Sequence, residues 1–170
     1  MKILKENNLE QHFLHCLEEY KALLKDLDLR GLTVIEVGVA TGQLTQLILN
    51  TSKPPVKVIG YEIDAQIVNF QDNRLDLRIK DFQKEDFTYL DRGKYAFIAN
   101  PPYALLPMIK RLLDKYKFQE IILMISPKYL NLFPDFQICF ELSGECFTPR
   151  SKGRHLVIKR DESFYNLHPL

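Results

Sequence analysis

An apolar run, Tyr95-Ala96-Phe97-Ile98-Ala99, stops abruptly at Asn100-Pro101-Pro102-Tyr103. Proline fixes φ and carries no N–H, so two in succession can neither continue a central strand nor sit inside a helix. The run therefore reads as a buried strand that ends at residue 99 and feeds a rigid, extended turn. Such a turn holds the Asn100 amide, free backbone carbonyls and the Tyr103 ring in one place. Carbonyls accept from N–H groups and an aromatic face stacks on a flat ring, so the turn suits a planar group that bears an amine. The same four residues also suit a plain strand-to-helix loop with a cap, and so short a motif does not separate the two.

The chain of 170 residues is 46% apolar and 26% charged, enough to build a core without metals or disulfides. It reads as a single domain over 1–170, with an N-terminal helical segment over 1–30 and a tail over 161–170 that shows no pattern. Cys16, Cys139 and Cys146 have neither paired nor metal-ligand spacing and read as free thiols in a reducing compartment. Met1-Lys2-Ile3-Leu4-Lys5-Glu6 lacks the apolar core of a signal peptide. The longest apolar run, at 121–125, is far too short to span a bilayer and suits a central strand. A cytoplasmic location is expected.

The remaining pattern alternates. Asn7 and Asn8 are placed to cap a helix carrying Phe13, Leu17, Tyr20, Leu24 and Leu27 on one face. Strands are expected at 33–37, 56–61, 75–79, 95–99 and 121–125. Helical patterns are read over 43–49, over 65–70, through Leu105, Ile109, Leu112 and Tyr116, and after Ser126-Pro127. A closing pair of strands is expected within 136–147 and 155–160. Strands alternating with helices predict an α/β fold, a parallel sheet covered on both faces, with ligands beyond the carboxyl ends of its strands.

Four features fall on that edge, each after a successive strand: the Gly38-Val39-Ala40-Thr41-Gly42 turn, Glu62, Asp81 and Asn100. Small residues in the turn let a ligand approach the backbone, and an acid about twenty residues later suits a ribose diol. A dinucleotide dehydrogenase would carry G-x-G-x-x-G after the first strand. Here the pattern is Glu36-x-Gly38-x-x-x-Gly42, and neither Asp81-Phe82 nor the Asn-Pro-Pro-Tyr turn has work in hydride transfer, so that reading is set aside.

With these residues in view, the chain resembles a class I S-adenosylmethionine-dependent methyltransferase, and most closely the ribosomal-RNA adenine N6-dimethyltransferases. The resemblance runs from about Gln11 to Arg160. Gln11-His12-Phe13-Leu14 is similar to that family's G-Q-x-F-L signature, and Glu36-Val37-Gly38 through Gly42-Gln43-Leu44-Thr45 to its cofactor loop. Tyr61-Glu62-Ile63-Asp64 is similar to its ribose motif, Lys80-Asp81-Phe82 to its adenine-edge motif, and Phe147-Thr148-Pro149-Arg150-Ser151-Lys152 to its closing F-x-P-x-x-K segment.

The resemblance implies a Rossmann-like fold with a seven-stranded, mostly parallel sheet, and S-adenosylmethionine as cofactor. Gln11, Glu36, Gly38, Ala40 and Gly42 would hold its methionine part, Glu62 the ribose, and Ile63, Asp81 and Phe82 the adenine. Asn100 and the Pro101 carbonyl would accept from the target N6 amine in the Asn100-Pro101-Pro102-Tyr103 turn. Tyr103 would stack on the flipped base, with Phe147 opposite or simply packed in the core. No metal is implied, since His12, His15, His155 and His168 form no ligand cluster.

Basic residues are concentrated late: Ala104 to Arg160 holds ten Lys/Arg against five Asp/Glu, and Thr148 to Arg160 holds five bases and no acid. Arg150, Lys152 and Arg154 in that stretch suit a phosphate backbone. Four features depart from the family. Glu10 replaces a glycine, and the basic arm before it is nearly missing. Ala40 replaces a loop glycine. The turn is N-P-P-Y rather than N-[LI]-P-[YF], and no helical domain follows the sheet. The leading expectation is adenine N6 methylation of nucleic acid, RNA ahead of DNA, with a protein partner able to supply recognition. Two alternatives stay open: a protein-glutamine methyltransferase, whose amide nitrogen would use the same acceptors, and a non-catalytic nucleic-acid-binding relative.

Overall fold

The computed structural model of the chain describes residues 11–160. Its centre is a seven-stranded sheet. The strands are β2 (Thr33–Val37), β3 (Lys57–Glu62), β4 (Leu75–Ile79), β5 (Tyr95–Ala99), β6 (Glu120–Ile125), β7 (Phe136–Ser143) and β9 (Arg154–Arg160), in the spatial order β4-β3-β2-β5-β6-β9-β7. Every pairing from β4 to β6 is parallel, and β9 runs antiparallel between β6 and β7. A separate two-stranded ribbon joins β1 (Phe13–Leu14) to β8 (Phe147–Thr148). The expected α/β sheet and its helix-flanked topology are present.

Alternation along the parallel strands sorts the core into two layers, because successive side chains point to opposite faces. Val34, Val58, Ala96, Ile98, Ile122 and Met124 pack under α1 (Glu18–Lys25) and α2 (Gln43–Leu49). Their neighbours Ile35, Ile59, Phe97, Ile121 and Leu123 pack under α3 (Leu106–Lys115), on the other face. Such strands read as continuous apolar runs because both faces are buried.

Three expectations need correction. The first helix does not include Phe13: it begins at Glu18, and Phe13 and Leu14 pair with Thr148 and Phe147. A strand partner more than 130 residues away overrides the local helical spacing. The caps Asn7 and Asn8 lie outside the described residues, as does the tail over 161–170. Secondly, residues 65–70 form a turn and irregular chain, not a helix. The Gln66 N–H donates to the Asp64 side chain at 3.0 Å and starts the turn. Phe70 is then drawn onto the cofactor-type loop, where a Cβ on Gly42 would lie 2.3 Å from it. The next crossover, from β4 to β5, also lacks an α-helix. Two 3₁₀ turns, Phe82–Lys84 and Thr88–Arg92, cover the sheet with Phe82, Phe87 and Leu90.

Thirdly, Cys16 and Cys146 are not free thiols. They form a disulfide, while Cys139 remains free. Linear spacing hid the pair because the β1–β8 ribbon brings them together, with the His15 N–H donating to the Cys146 carbonyl at 2.9 Å. Among the described residues, no helix is long and apolar enough to cross a membrane.

Candidate active site

The carboxyl ends of β2, β3, β4 and β5 lie along one edge, and the direction of chain crossing reverses between β2 and β5. In parallel sheets the crevice for ligands opens at such a reversal. The loop 38–42 leaves β2 here and Asn100 leaves β5 beside it. Gly38 takes a φ of +82°, and a Cβ there would sit 3.1 Å from the Asn100 backbone oxygen. Only a glycine lets these two loops touch. Ala40 is also left-handed, with a φ of +50°, at the position where the family carries glycine.

Two buried carboxyl groups lie next to this loop, and one of them holds it. Glu62 accepts from the Ala40 N–H at 2.9 Å, the Ile63 N–H at 2.8 Å and the Asp64 N–H at 3.0 Å. It thus splints the loop to β3, and these three bonds leave part of a carboxylate's acceptor capacity unused. Glu36 is fully buried under the same loop, and Thr45 Oγ1 donates to its Oε2 at 2.7 Å. Its Oε1 has no partner among the described residues. Burial, reinforced by the Glu62 charge, pushes the Glu36 carboxyl up to about 8, so it is protonated at neutral pH.

The remaining edge residues are divided. Gln11 Nε2 donates to Asp64 Oδ2 at 3.3 Å, which brings the N-terminal segment to the crevice. Ile63, just past the end of β3, is 55% exposed, an open apolar face. Asp81 accepts from the Gln83 N–H at 3.0 Å and caps the 3₁₀ turn. Phe82 is buried among Tyr61, Phe87 and Phe97 and belongs to the core.

In the Asn-Pro-Pro-Tyr turn, Pro101 is buried, and its carbonyl receives no N–H among the described residues. The Pro102 carbonyl accepts from the Leu105 N–H at 2.9 Å and begins the 3₁₀ turn leading into α3. Two residues that sequence reasoning did not single out grip the turn. Tyr20 Oη of α1 donates to Asn100 Oδ1 at 2.5 Å. Tyr103 Oη hydrogen-bonds His155 Nδ1, whose Nε2 pairs with Ser151 Oγ. Burial pushes the Tyr103 phenol up and the imidazole down, with His12 adding to the latter.

Phe147 is only 6% exposed and stacks on His155 at 4.3 Å, so the imidazole lies between it and Tyr103. Of the late bases, Arg150 pairs with Glu145 and Arg154 with Glu141, each at 3.2 Å. Both pairs are exposed and weak. Lys152 is exposed with no ion pair among the described residues. Lys159 pairs with Glu120 at 3.1 Å and Arg160 with Asp135 at 3.0 Å, so these two bases tie β9 to its surroundings. The one available sequence signal for Tyr20 and His155 was a polar side chain set among core positions, which must find a partner.

A profile of the family described as ribosomal RNA adenine dimethylase matches residues 3–131. Ribosomal RNA small subunit methyltransferase A of Parabacteroides distasonis is 32% identical, over 94% of this chain and 69% of that protein. Its counterpart in Mesomycoplasma hyopneumoniae is 30% identical, over 74% of this chain and 49% of that protein. The chain spans about half the length of the latter. A dimethyladenosine transferase from Plasmodium falciparum shares the fold with a TM-score of 0.71 at 19% identity, covering 93% of this chain and 66% of that one. The chain belongs to the ribosomal RNA adenine dimethylase family.

Proposed function

We propose that the chain is an S-adenosylmethionine-dependent methyltransferase acting on adenine N6 in RNA, with one catalytic domain working in the cytoplasm. The observation that carries this reading is the contact between the Gly38 loop and Asn100, which sets the Asn100 and Pro101 acceptors directly beside the loop at the ligand edge. The residues present fit the cofactor. Glu36 has a buried oxygen without a partner among the described residues, the loop backbone is left-handed at Gly38, Ala40 and Gly42, and Ile63 offers an exposed apolar face. Gln11, Glu36, Gly38, Ala40, Gly42 and Asn100 would hold its amino-acid part, Glu62 its ribose, and Ile63 and Asp81 its adenine, with Phe82 in the core next to Asp81. When bound, the cofactor supplies a methyl group on a sulfonium, an electrophile that needs no strong base.

The chain's own residues then have three tasks. Asn100 Oδ1 and the Pro101 carbonyl accept the two N–H groups of the target amine and orient its lone pair. The same bonds stabilise the positive charge that grows on that nitrogen. Tyr103 offers a stacking face for a base taken out of its stack. Arg150 and Lys152 lie on the loop between β8 and β9 and Arg154 begins β9, where a phosphate backbone would pass, with Glu145 and Glu141 released on binding. Phe147 supports this wall through His155.

Methyl transfer from labelled S-adenosylmethionine to RNA, DNA and protein in parallel, followed by mass spectrometry of the digests, tests the reading. N6-methylated adenine in RNA is expected. Label in protein alone, on glutamine, overturns the adenine assignment. Cofactor binding without transfer to any pool overturns the catalytic one.

A further inference from the structure

We infer that Tyr20, on the N-terminal helix, is a positioning residue for methyl transfer: its phenol sets which way round the Asn100 amide faces the target. The inference rests on the reading of Asn100 as an acceptor for the target amine.

An asparagine amide is nearly symmetric in shape and opposite in chemistry at its two ends. With Oδ1 outward it accepts an amine N–H, and with Nδ2 outward it opposes one. A half-buried asparagine at a loop end has no intrinsic preference between them. Tyr20 supplies the preference. Its ring is 0% exposed and held edge-on to Phe140 at 5.3 Å and 87°. Its hydroxyl has one hydrogen-bond partner among the described residues, Asn100 Oδ1, to which it donates at 2.5 Å. Burial keeps the phenol protonated, since it raises the group well above its ordinary value. A flipped amide would put N–H groups against the phenol oxygen and leave the phenol hydrogen buried without an acceptor. That loss disfavours the flipped state. A carbonyl oxygen has two lone pairs, so accepting from Tyr20 leaves the second for the target amine.

The placement follows from strand alternation. Ala96 and Ile98 point to the α1 face, and Asn100 continues that series past the end of β5. Tyr20 occupies the facing position on α1. A leucine there would fill the same core and leave the amide unguided.

The test is Tyr20→Phe, which keeps the ring and removes one oxygen. With RNA as acceptor, kcat is expected to fall about tenfold, while KM for RNA and the affinity for S-adenosylmethionine stay within about twofold. In an Asn100→Asp background, whose carboxylate has no donor end to flip, the further loss on Tyr20→Phe is expected to shrink to about twofold or less. A second readout needs no activity: in ¹⁵N–¹H spectra of the cofactor-free protein, the Asn100 side-chain amide signals shift and broaden in Tyr20→Phe.

Unaltered kcat in Tyr20→Phe, equal losses in both backgrounds, loss of cofactor affinity together with kcat, or unchanged Asn100 signals would each overturn the proposal. If the unaltered protein methylates no adenine, the adenine reading falls by itself. The amide signals then still decide whether Tyr20 orients Asn100.

Discussion

Replacing Glu36 with glutamine should remove a pH dependence that this one side chain imposes on folding. Glu36 is fully buried and its carboxyl titrates at about 8, against an ordinary value of 4.5. The folded state therefore keeps the proton to higher pH than the unfolded chain. Stability from this site is fully present below 4.5 and drains away as the pH rises toward 8. Each pH unit well inside that window removes about 1.4 kcal/mol, and less near its two ends, so the step from pH 5 to pH 8 costs about 3.5 kcal/mol. That is a sizeable share of a typical domain stability of about 5–15 kcal/mol. Glutamine keeps an acceptor for Thr45 and does not ionise, so Glu36→Gln should gain about 3.5 kcal/mol on the parent between pH 5 and pH 8. Any fixed cost of placing an amide beside the unpartnered oxygen's position shifts both ends equally and leaves the slope untouched. The assay is urea denaturation of the cofactor-free protein at half-unit pH steps, followed by circular dichroism because the chain has no tryptophan. A stability difference between variant and parent that stays flat from pH 5 to pH 8 would refute the reasoning, since it would mean that the Glu36 carboxyl is ionised in the fold.

Three further outcomes are expected. Tyr103→Ala removes a stacking face worth about 1–3 kcal/mol per base, so kcat/KM on RNA should drop roughly 10–100-fold with the fold intact by circular dichroism; full activity would mean that the target base does not stack there. Ala40→Gly relieves a left-handed alanine at a φ of +50°, and after the added freedom of the unfolded chain a gain of about 0.5 kcal/mol should appear as a higher urea midpoint. Reducing the Cys16–Cys146 bond, which closes a span of 130 residues, should lower unfolding free energy by about 2–4 kcal/mol in urea titrations with and without dithiothreitol.

The inner parallel strands were legible because they are buried on both faces and leave near-continuous apolar runs, while β4 at the sheet edge carries the weaker alternating pattern Leu-Asp-Leu-Arg-Ile. The residues at their ends were legible because each follows such a run directly. What escaped was whatever depended on distant pairing. Phe13 and Leu14 carry no period-two signal in two residues, and their partners Phe147 and Thr148 are remote. Cys16 and Cys146 meet only because that ribbon forms. The chain over 65–70 has helical composition, but its twelve-residue crossover from β3 to β4 spends its length reaching the next strand, with Phe70 seated on Gly42. Glu36 was placed at the cofactor loop by its position after an apolar run, yet nothing in the sequence said that it would be protonated there.

The Asn-Pro-Pro-Tyr turn is rigid in its backbone, but backbone rigidity does not orient a side-chain amide or a phenol ring. Those two degrees of freedom are fixed by elements that carry none of the turn's residues. Strand alternation sends Asn100 toward α1 and Tyr20, on one side of the sheet. The 3₁₀ turn that follows Pro102 swings Tyr103 toward β9, which runs antiparallel between β6 and β7, and onto His155. His155 in turn stands on Phe147 and bonds Ser151, in the loop that also bears Arg150 and Lys152 and leads into β9 at Arg154. Tyr103, the proposed stacking residue, and the basic loop are therefore parts of one hydrogen-bonded unit. A backbone contact that moves that loop must act on Tyr103 through the imidazole, so substitutions at Arg150 or Arg154 should be read for their effect on kcat as well as on RNA affinity.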